Sequence, residues 1–414
     1  MLFNSYEFVF LFLPTSLFVY FYLNQKNFTK TSKAFLVIAS LFFYSWWNIV
    51  YLPLILVSII FNFLVGRLLN SKPVKLILAI GIIGNVSLLG YFKYADFFIT
   101  NFNWAFNTNA SLLNLILPIA ISYFTFQQIA FLVDSYRGYT KEYSLLNYCV
   151  FITFFPQLLM GPIVHHSEIV PQFQKNTNLK VNWNHISLGV FIFAIGLAKK
   201  TLLGDPLTIF AQNAFDNAEN LSMIDSWYAS LSYVLSYYFD LSGYADMAIG
   251  IGKMFNVNIP INFNSPYKAR NFSEYWKKWH ITLSRFLGDY VYKSLGGNQS
   301  IRRIVYINIM ITFLVSGLWH GASWTFVAWG ALNGIFVVMS HMMNKLKIKL
   351  NYFIAWSLMF LGLIITRVLF VSDSFSEAWH VISSLFDISN LSFSDFSFNA
   401  IESYPVTLNS YLSF

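Results

Sequence analysis

The stretch IVYINIMITFLVSGLWHGASWTFVAWGALNGIFVVM (Ile304–Met339) decides how this chain reads. Two apolar runs flank a short break, SGLWHGASW (Ser316–Trp324), and the break carries one imidazole, His320. Each run is close to the ~20 residues that a helix needs to cross a hydrocarbon layer. The pattern is therefore a helical hairpin within a membrane. Gly317 and Gly321 allow close backbone approach in the break. His320 has two readings at this level. It is either a turn histidine bonded to a backbone carbonyl or a functional group, since ionisable groups inside a bilayer are costly to keep. An imidazole with an ordinary pKa of about 6.5 suits a general base at neutral pH.

The whole composition agrees with the hairpin. Of the 414 residues, 57% are hydrophobic and 11% are charged; soluble domains carry about 25% charged residues. Apolar runs recur along the chain, so it is a polytopic membrane protein. The 45 Phe, 25 Tyr and 12 Trp supply aromatic belts at both interfaces. The net charge of +8 is no nucleic-acid signal, because the basic residues cluster in short loops between apolar runs. A single cysteine, Cys149, excludes an intrachain disulfide and a multi-cysteine metal site. The first apolar run starts at Tyr6 without a basic n-region or small-residue cleavage site, and reads as a retained helix.

Outward from the hairpin, spans are expected near Tyr6–Leu23, Phe35–Trp47, Leu52–Leu69, Leu76–Phe92 and Leu112–Val133. Further spans are expected near Val190–Leu203, Trp227–Ile251, Ile304–Trp319, Trp324–Met342 and Phe353–Val371. Lys93–Ser111 reads as a loop poor in basic residues. Basic loops (Lys26 to Lys33, Arg67 to Lys75, Arg137 and Lys141) alternate with such poor ones. The positive-inside rule then puts Met1 outside and the basic loops in the cytoplasm. Lys253–Arg303 is strongly basic and reads as inside, which leaves His320 toward the outer half. CVFITFFPQLLMGPIVHH (Cys149–His166) holds two prolines and a glycine and reads as a re-entrant or broken helix. From Ser372 the chain turns polar and reads as external.

Several stretches could carry chemistry. In NSPYKARNFSEYWKKWHITLSRFLGDY (Asn264–Tyr290), Asn271 and Glu274 resemble a capping box. A helix from Phe272 onward would put Trp276, His280, Leu283 and Leu287 on one stripe. That stripe either lies in lipid as the apolar face of an interfacial helix or turns His280 toward a substrate tunnel. Asp240, Ser242 and Asp246 interrupt the apolar run YYFDLSGYADMAIG (Tyr237–Gly250), and Gln127, Gln128 and Asp134 interrupt SYFTFQQIAFLVDSYRG (Ser122–Gly138). The two glutamines read as interhelical packing bonds; Asp246 stays open between packing and function. His165 and His166 have no third ligand at metal-binding spacing, so no metal is expected.

Five stretches together resemble the membrane-bound O-acyltransferase (MBOAT) family, and more narrowly its bacterial alginate O-acetylase and peptidoglycan O-acetyltransferase branch, related to the teichoic acid D-alanyltransferases. They are SYFTFQQIAFLVDSYRG, FFPQLLMGPI, YYFDLSGYADMAIGIGKMF, NFNSPYKARNFSEYWKKWHITLSRFLGDYVYKSLGGN and SGLWHGASWTFVAWGALNG, in order from Ser122 to Gly334. The opening MLFNSYEFVFLFLP fits as well. The resemblance implies an all-α fold in one membrane domain over 1–414, a ring of tilted helices around a thin core crossed by a tunnel. It implies two catalytic histidines, His320 in LWHGA and His280 in WKKWH. Trp319, Trp276, Trp279, Asp246, Asn271 and Ser284 are the candidates to line the tunnel.

The chemistry implied is acyl transfer, with acetyl favoured, from a cytoplasmic thioester such as acetyl-CoA. The acceptor is a hydroxyl on an extracytoplasmic exopolysaccharide or on peptidoglycan, reached through a periplasmic transferase partner. His320 would act as base, and His280 would orient the donor or stabilise the oxyanion; a covalent acyl-histidine relay is the alternative route. No tightly bound cofactor is implied. The implied location is the bacterial cytoplasmic membrane. Relatives in that branch continue with further apolar helices, whereas this chain stops at NSYLSF, so it is either truncated or a shorter member. Three alternatives stand beside this reading. They are D-alanyl transfer to teichoic acid from a carrier protein, a lipid or polysaccharide transporter, which usually shows repeat symmetry not found here, and a scaffold that only docks an external enzyme.

Overall fold

The computed structural model describes residues 1–140, 143–299 and 301–391. Among them all regular structure is helical. Seven helices are long and apolar enough to cross a membrane: Phe8–Gln25, Ile49–Ser71, Lys75–Phe106, Trp183–Phe215, Arg303–His320, Trp324–Lys345 and Tyr352–Val371. The multi-pass reading of the composition therefore holds. The chain forms two compact units interleaved in sequence, Met1–Gly196 with Tyr244–Ile261, and Leu197–Gly243 with the chain from Asn262 onward.

In the first unit, helices α1 (Phe8–Gln25) and α2 (Thr29–Ser45) pack through Phe3, Phe8, Phe12, Phe43 and Phe155, whose rings lie 4.9–6.0 Å apart in successive contacts. Helices α3 (Leu52–Ser71), α4 (Lys75–Phe106) and α5 (Ile121–Tyr136) are joined by a buried polar zipper. Gln128 Oε1 accepts from Ser58 Oγ at 2.7 Å and from Asn62 Nδ2 at 2.9 Å, and Asn62 exchanges bonds with Asn85. Lipid offers no water to satisfy these amides, so they bind one another across helices. Gln128 is the packing residue its position suggested.

Two expectations for this unit are corrected. Lys93–Ser111 is largely helix, since α4 runs on to Phe106 and is capped by Asn107 in the left-handed region (φ 52°). Its polar residues fasten the next segment back onto the helix instead of forming a loop. Asp96 accepts from the backbone of Leu113 and Asn114, and Asn103 Oδ1 accepts from Ala110 N. Consequently the returning helix starts at Ile121, not Leu112. The segment rich in proline is broken as expected. Helix α6 (Leu145–Thr153) stops at Phe154, and one turn of helix and an extended arm follow.

Helix α7 (Trp183–Phe215) and helix α8 (Met223–Met254) each begin in one unit and end in the other. The middle of α7 relaxes into a π-helical turn at Lys199–Gly204. There Lys200 Nζ lies 2.5 Å from both Asp205 and Asp240. A carboxylate inside an apolar run is thus neutralised by a cation from the neighbouring helix.

The second unit gathers around Tyr275, Trp279, Ile309, Leu363 and Ile364, all buried. The single helix expected from Phe272 is two. Helix α9 (Phe272–Trp276) ends at Lys277, and α10 (Ile281–Leu287) starts after His280, whose φ is 44°. Asn262 dictates the break. Its carbonyl accepts from Ile281 N at 2.9 Å, and its side chain accepts from Thr282 N at 3.1 Å. Trp276 and His280 therefore share no continuous stripe with Leu283 and Leu287. Half of the predicted capping box forms. Asn271 Oδ1 accepts from Glu274 N at 2.9 Å, but Glu274 returns its bond to Arg270 N.

Helices α11 (Arg302–His320) and α12 (Trp324–Lys345) form the hairpin expected around His320. Helix α13 (Tyr352–Val371) packs on α12. The polar tail expected from Ser372 folds into a short helix, α14 (Phe375–Ser384). Residues 141, 142, 300 and 392–414, including Lys141 of the basic loop and most of that tail, lie outside the described residues.

Candidate active site

His320 is the last residue of α11, where Gly321 N–H caps the helix on Gly317 O. The imidazole is half-buried in a cage of rings. Trp319 lies 4.7 Å away, Trp329 4.9 Å and Phe370 5.0 Å between ring centres, each edge-on. These rings come from α11, α12 and α13, so the cage exists only once three helices pack. His280 also meets Trp319, edge-on at 6.3 Å between ring centres. One indole thus links the two imidazoles that the family resemblance paired.

His280 is buried (5% exposed) and held in the left-handed backbone region. A non-glycine residue there carries strain of roughly 1–2 kcal/mol. Its Nδ1 is buried with no hydrogen-bond partner among the described residues. Burial pushes this imidazole down from 6.5 to about 4, and the charge of Arg367 adds to that. His280 is therefore neutral at pH 7 and serves as an uncharged donor or acceptor. The sign for stability follows. The folded state binds this proton only near pH 4, whereas the unfolded chain binds it near 6.5, so its contribution holds above about 6.5 and falls away toward pH 4. In detergent, the thermal midpoint should drop between pH 7 and 4.5, and His280→Gln should flatten that drop. An identical pH slope in the variant would count against a buried neutral His280.

The other expected residues separate into groups. Trp276 meets Trp329 edge-on at 5.8 Å, so it joins the cage from behind. Trp279 is buried and stacks on Tyr237 at 5.7 Å. Ser284 ties the turn, with its N–H donating to His280 O at 3.0 Å and its hydroxyl to Trp279 O at 3.3 Å. Asn271 lines a different feature, a cleft of about 580 Å³ with Arg270, Phe272, Met343 and Lys349, where neither histidine appears. Asp246 belongs to the first unit.

The sequence reading missed Trp329, Phe370 and Arg367. Arg367 is 2% exposed, and its Nη2 donates to Tyr275 Oη at 3.0 Å. Burial pushes the Tyr275 hydroxyl upward, so it stays neutral as that acceptor. A lone cation inside FLGLIITRVLFV was the signal available. In the first unit, His165 and His166 do gain a third partner. Asp134 Oδ2 lies 2.9 Å from His166 Nε2 and 3.5 Å from His165 Nδ1, and the three ligand-capable atoms fall within 4.8 Å. Tyr143 bonds the other nitrogen of His166 at 2.9 Å, and Arg137 lies 3.6 Å from Asp134. Every member of this set has a proton or charge partner, which is how a buried polar network stays satisfied.

In a polytopic helical protein, two histidines thus meet on one indole at a helix end, walled by aromatic rings. The comparisons place it more narrowly. The profile of MBOAT, the membrane-bound O-acyltransferase family, matches residues 5–372, and the chain belongs to that family. It is an O-acyltransferase of the membrane. A peptidoglycan O-acetyltransferase of Helicobacter pylori is 45% identical over 97% of this chain and 83% of its own length. A probable alginate O-acetylase AlgI of Pseudomonas aeruginosa is 35% identical over 93% and 75%. A teichoic acid D-alanyltransferase of Streptococcus thermophilus is 27% identical over 59% and 61%.

Proposed function

We propose that this chain takes an acetyl group from a cytoplasmic thioester, acetyl-CoA, and passes it across the membrane toward hydroxyls of peptidoglycan, with a periplasmic transferase completing delivery. The observation that carries the reading is the pair His320–Trp319–His280. It brings two imidazoles within 6.3 Å and 4.7 Å of one indole ring. The acceptor oxygen bonds to the acyl carbon while His320 takes its proton. The carbonyl pair moves onto oxygen, then returns as the carbon–sulfur bond breaks. The thiolate leaves with the carbon–sulfur bonding pair and receives the proton from His320. His280, uncharged, orients the acyl carbonyl. No serine or cysteine nucleophile is needed when donor and acceptor meet in a shared tunnel.

The alternation of basic and poor loops supports a cytoplasmic-membrane location with Met1 outside. Basic residues between Lys253 and Arg303 would then face phosphates of the donor. Peptidoglycan is preferred over alginate as acceptor because 45% identity exceeds 35%. D-alanyl transfer is the weaker reading, since that relative covers only 59% of the chain.

The acceptor is tested by releasing ester-linked acetate from peptidoglycan and from exopolysaccharide of cells with and without the gene. Loss of acetate from peptidoglycan alone is expected. Loss from exopolysaccharide alone would move the acceptor. No loss from either would overturn the reading.

A further inference from the structure

Arg367 is the one charged residue in the span Tyr352–Val371. Among the described residues no carboxylate pairs with it. Neutral groups hold it instead. Besides the bond to Tyr275 Oη, its guanidinium carbon lies 4.5 Å from the ring centres of Tyr237 and Trp279, and 5.5 Å from that of Phe370. Aromatic faces attract a cation through their quadrupole without cancelling its charge. A carboxylate would cancel it. The positive field of this guanidinium therefore stays available inside the protein.

Its Nε–H is buried and has no acceptor among the described residues. The same holds for Nε1–H of Trp276 and Nδ1 of His280. A buried charged donor without an acceptor is among the costlier features a fold can keep. An ionisable group kept within a span marks function by default. Each of these three groups is linked to His320 through one ring. Trp329 touches both Trp276 and His320, Trp319 touches both His280 and His320, and Phe370 touches both Arg367 and His320. Two donors without acceptors, and a ring nitrogen without a partner, thus each lie one ring away from the imidazole. What the two N–H groups, of Arg367 and Trp276, lack is an oxygen that accepts.

We infer that Arg367 is a further catalytic residue of the acyl transfer, donating through Nε to the oxygen that becomes negative when the acyl carbon is attacked. This rests on the reading that His320 deprotonates the acceptor. As the new carbon–oxygen bond forms, the carbonyl pair moves onto oxygen. That charge exists only on the way to product. A cation already fixed in place stabilises it without reorganising, so the gain falls on the transition state and not on donor binding. Lysine keeps the charge but not the planar fork with its fixed Nε–H.

The test uses membrane vesicles from cells whose own gene carries each variant, so the natural acceptor is present. Labelled acetyl-CoA is the probe, and acetyl incorporation gives kcat and KM. Arg367→Met should lower kcat about 100-fold while KM for acetyl-CoA stays within about threefold of wild type. Arg367→Lys should recover part of that loss. A purely packing role would lower the amount of folded protein but leave kcat per folded molecule unchanged, and that result overturns the assignment. Should Arg367→Met fail to accumulate, Arg367→Lys decides: a lower kcat at unchanged KM supports the assignment, and a wild-type kcat refutes it. His320→Ala run in parallel separates the two readings. Full activity in it removes the base, whereas a silent His320→Ala beside a fully active Arg367→Met refutes Arg367 alone.

Discussion

Alanine at position 320 is expected to lower acetyl transfer about 1000-fold, within the range for losing a positioned general base, with the fold intact. His320 ends α11 and is half-buried, and its ring contacts are edge-on to Trp319, Trp329 and Phe370. Those three rings keep their other partners when the imidazole goes, so the cage survives. An acceptor hydroxyl is a poor nucleophile until its proton is being removed, and the other side chains of the cage, two indoles and a phenyl ring, carry no basic nitrogen. The check pairs ester acetate on the polymer with the thermal midpoint of purified protein. Acetate should vanish while the midpoint moves little. Retained acetate would remove His320 from the chemistry.

The second large effect is structural. At Gly317 an added Cβ would collide with the carbonyl oxygen of Phe326, and at Gly330 it would lie 2.5 Å from that of Phe313. Both obstacles are backbone, so neither rotates away. The two helices of the hairpin touch chain to chain, the close approach that small residues permit in membranes. Gly317→Ala should therefore cost about 3 kcal/mol, the upper part of the range for overpacking a fixed core. Gly334 makes the control. Its Cβ would meet the flexible end of Met310 at 2.9 Å, so Gly334→Ala should cost less than about 1 kcal/mol. Melting curves in one detergent compare them. Equal midpoints for the two variants would refute the backbone contact. Since Gly317 lies one turn before His320, the alanine there should also impair transfer.

Much of this architecture is legible from the chain alone, because crossing a bilayer imposes a length. The runs ending near His320, Lys345 and Val371 became spans with nearly the expected bounds. His320 was legible as well, as an imidazole between glycines at a break. What failed did so for reasons outside the local sequence. The turn at His280 is set by Asn262, eighteen residues earlier, which no helical periodicity can report. The second half of α4 looked like a loop because Asp96 and Asn103 are polar, yet those side chains bind the following backbone and prolong the helix. Asp134 joins His165 and His166 only after the chain folds back. Arg367 was readable as a misplaced charge, but its setting was not, since Tyr237 and Trp279 reach it from two other segments.

Release of free thiol from acetyl-CoA, followed with purified protein in nanodiscs, a hydroxyl acceptor from the cell wall and a periplasmic extract supplying the partner transferase, tests the central claim most directly. Wild-type protein should release thiol in step with acetyl ester formed, and His320→Ala should release none above background. Equal release by both proteins, or ester formed by the alanine variant at the wild-type rate, would contradict an acyl transfer driven by His320.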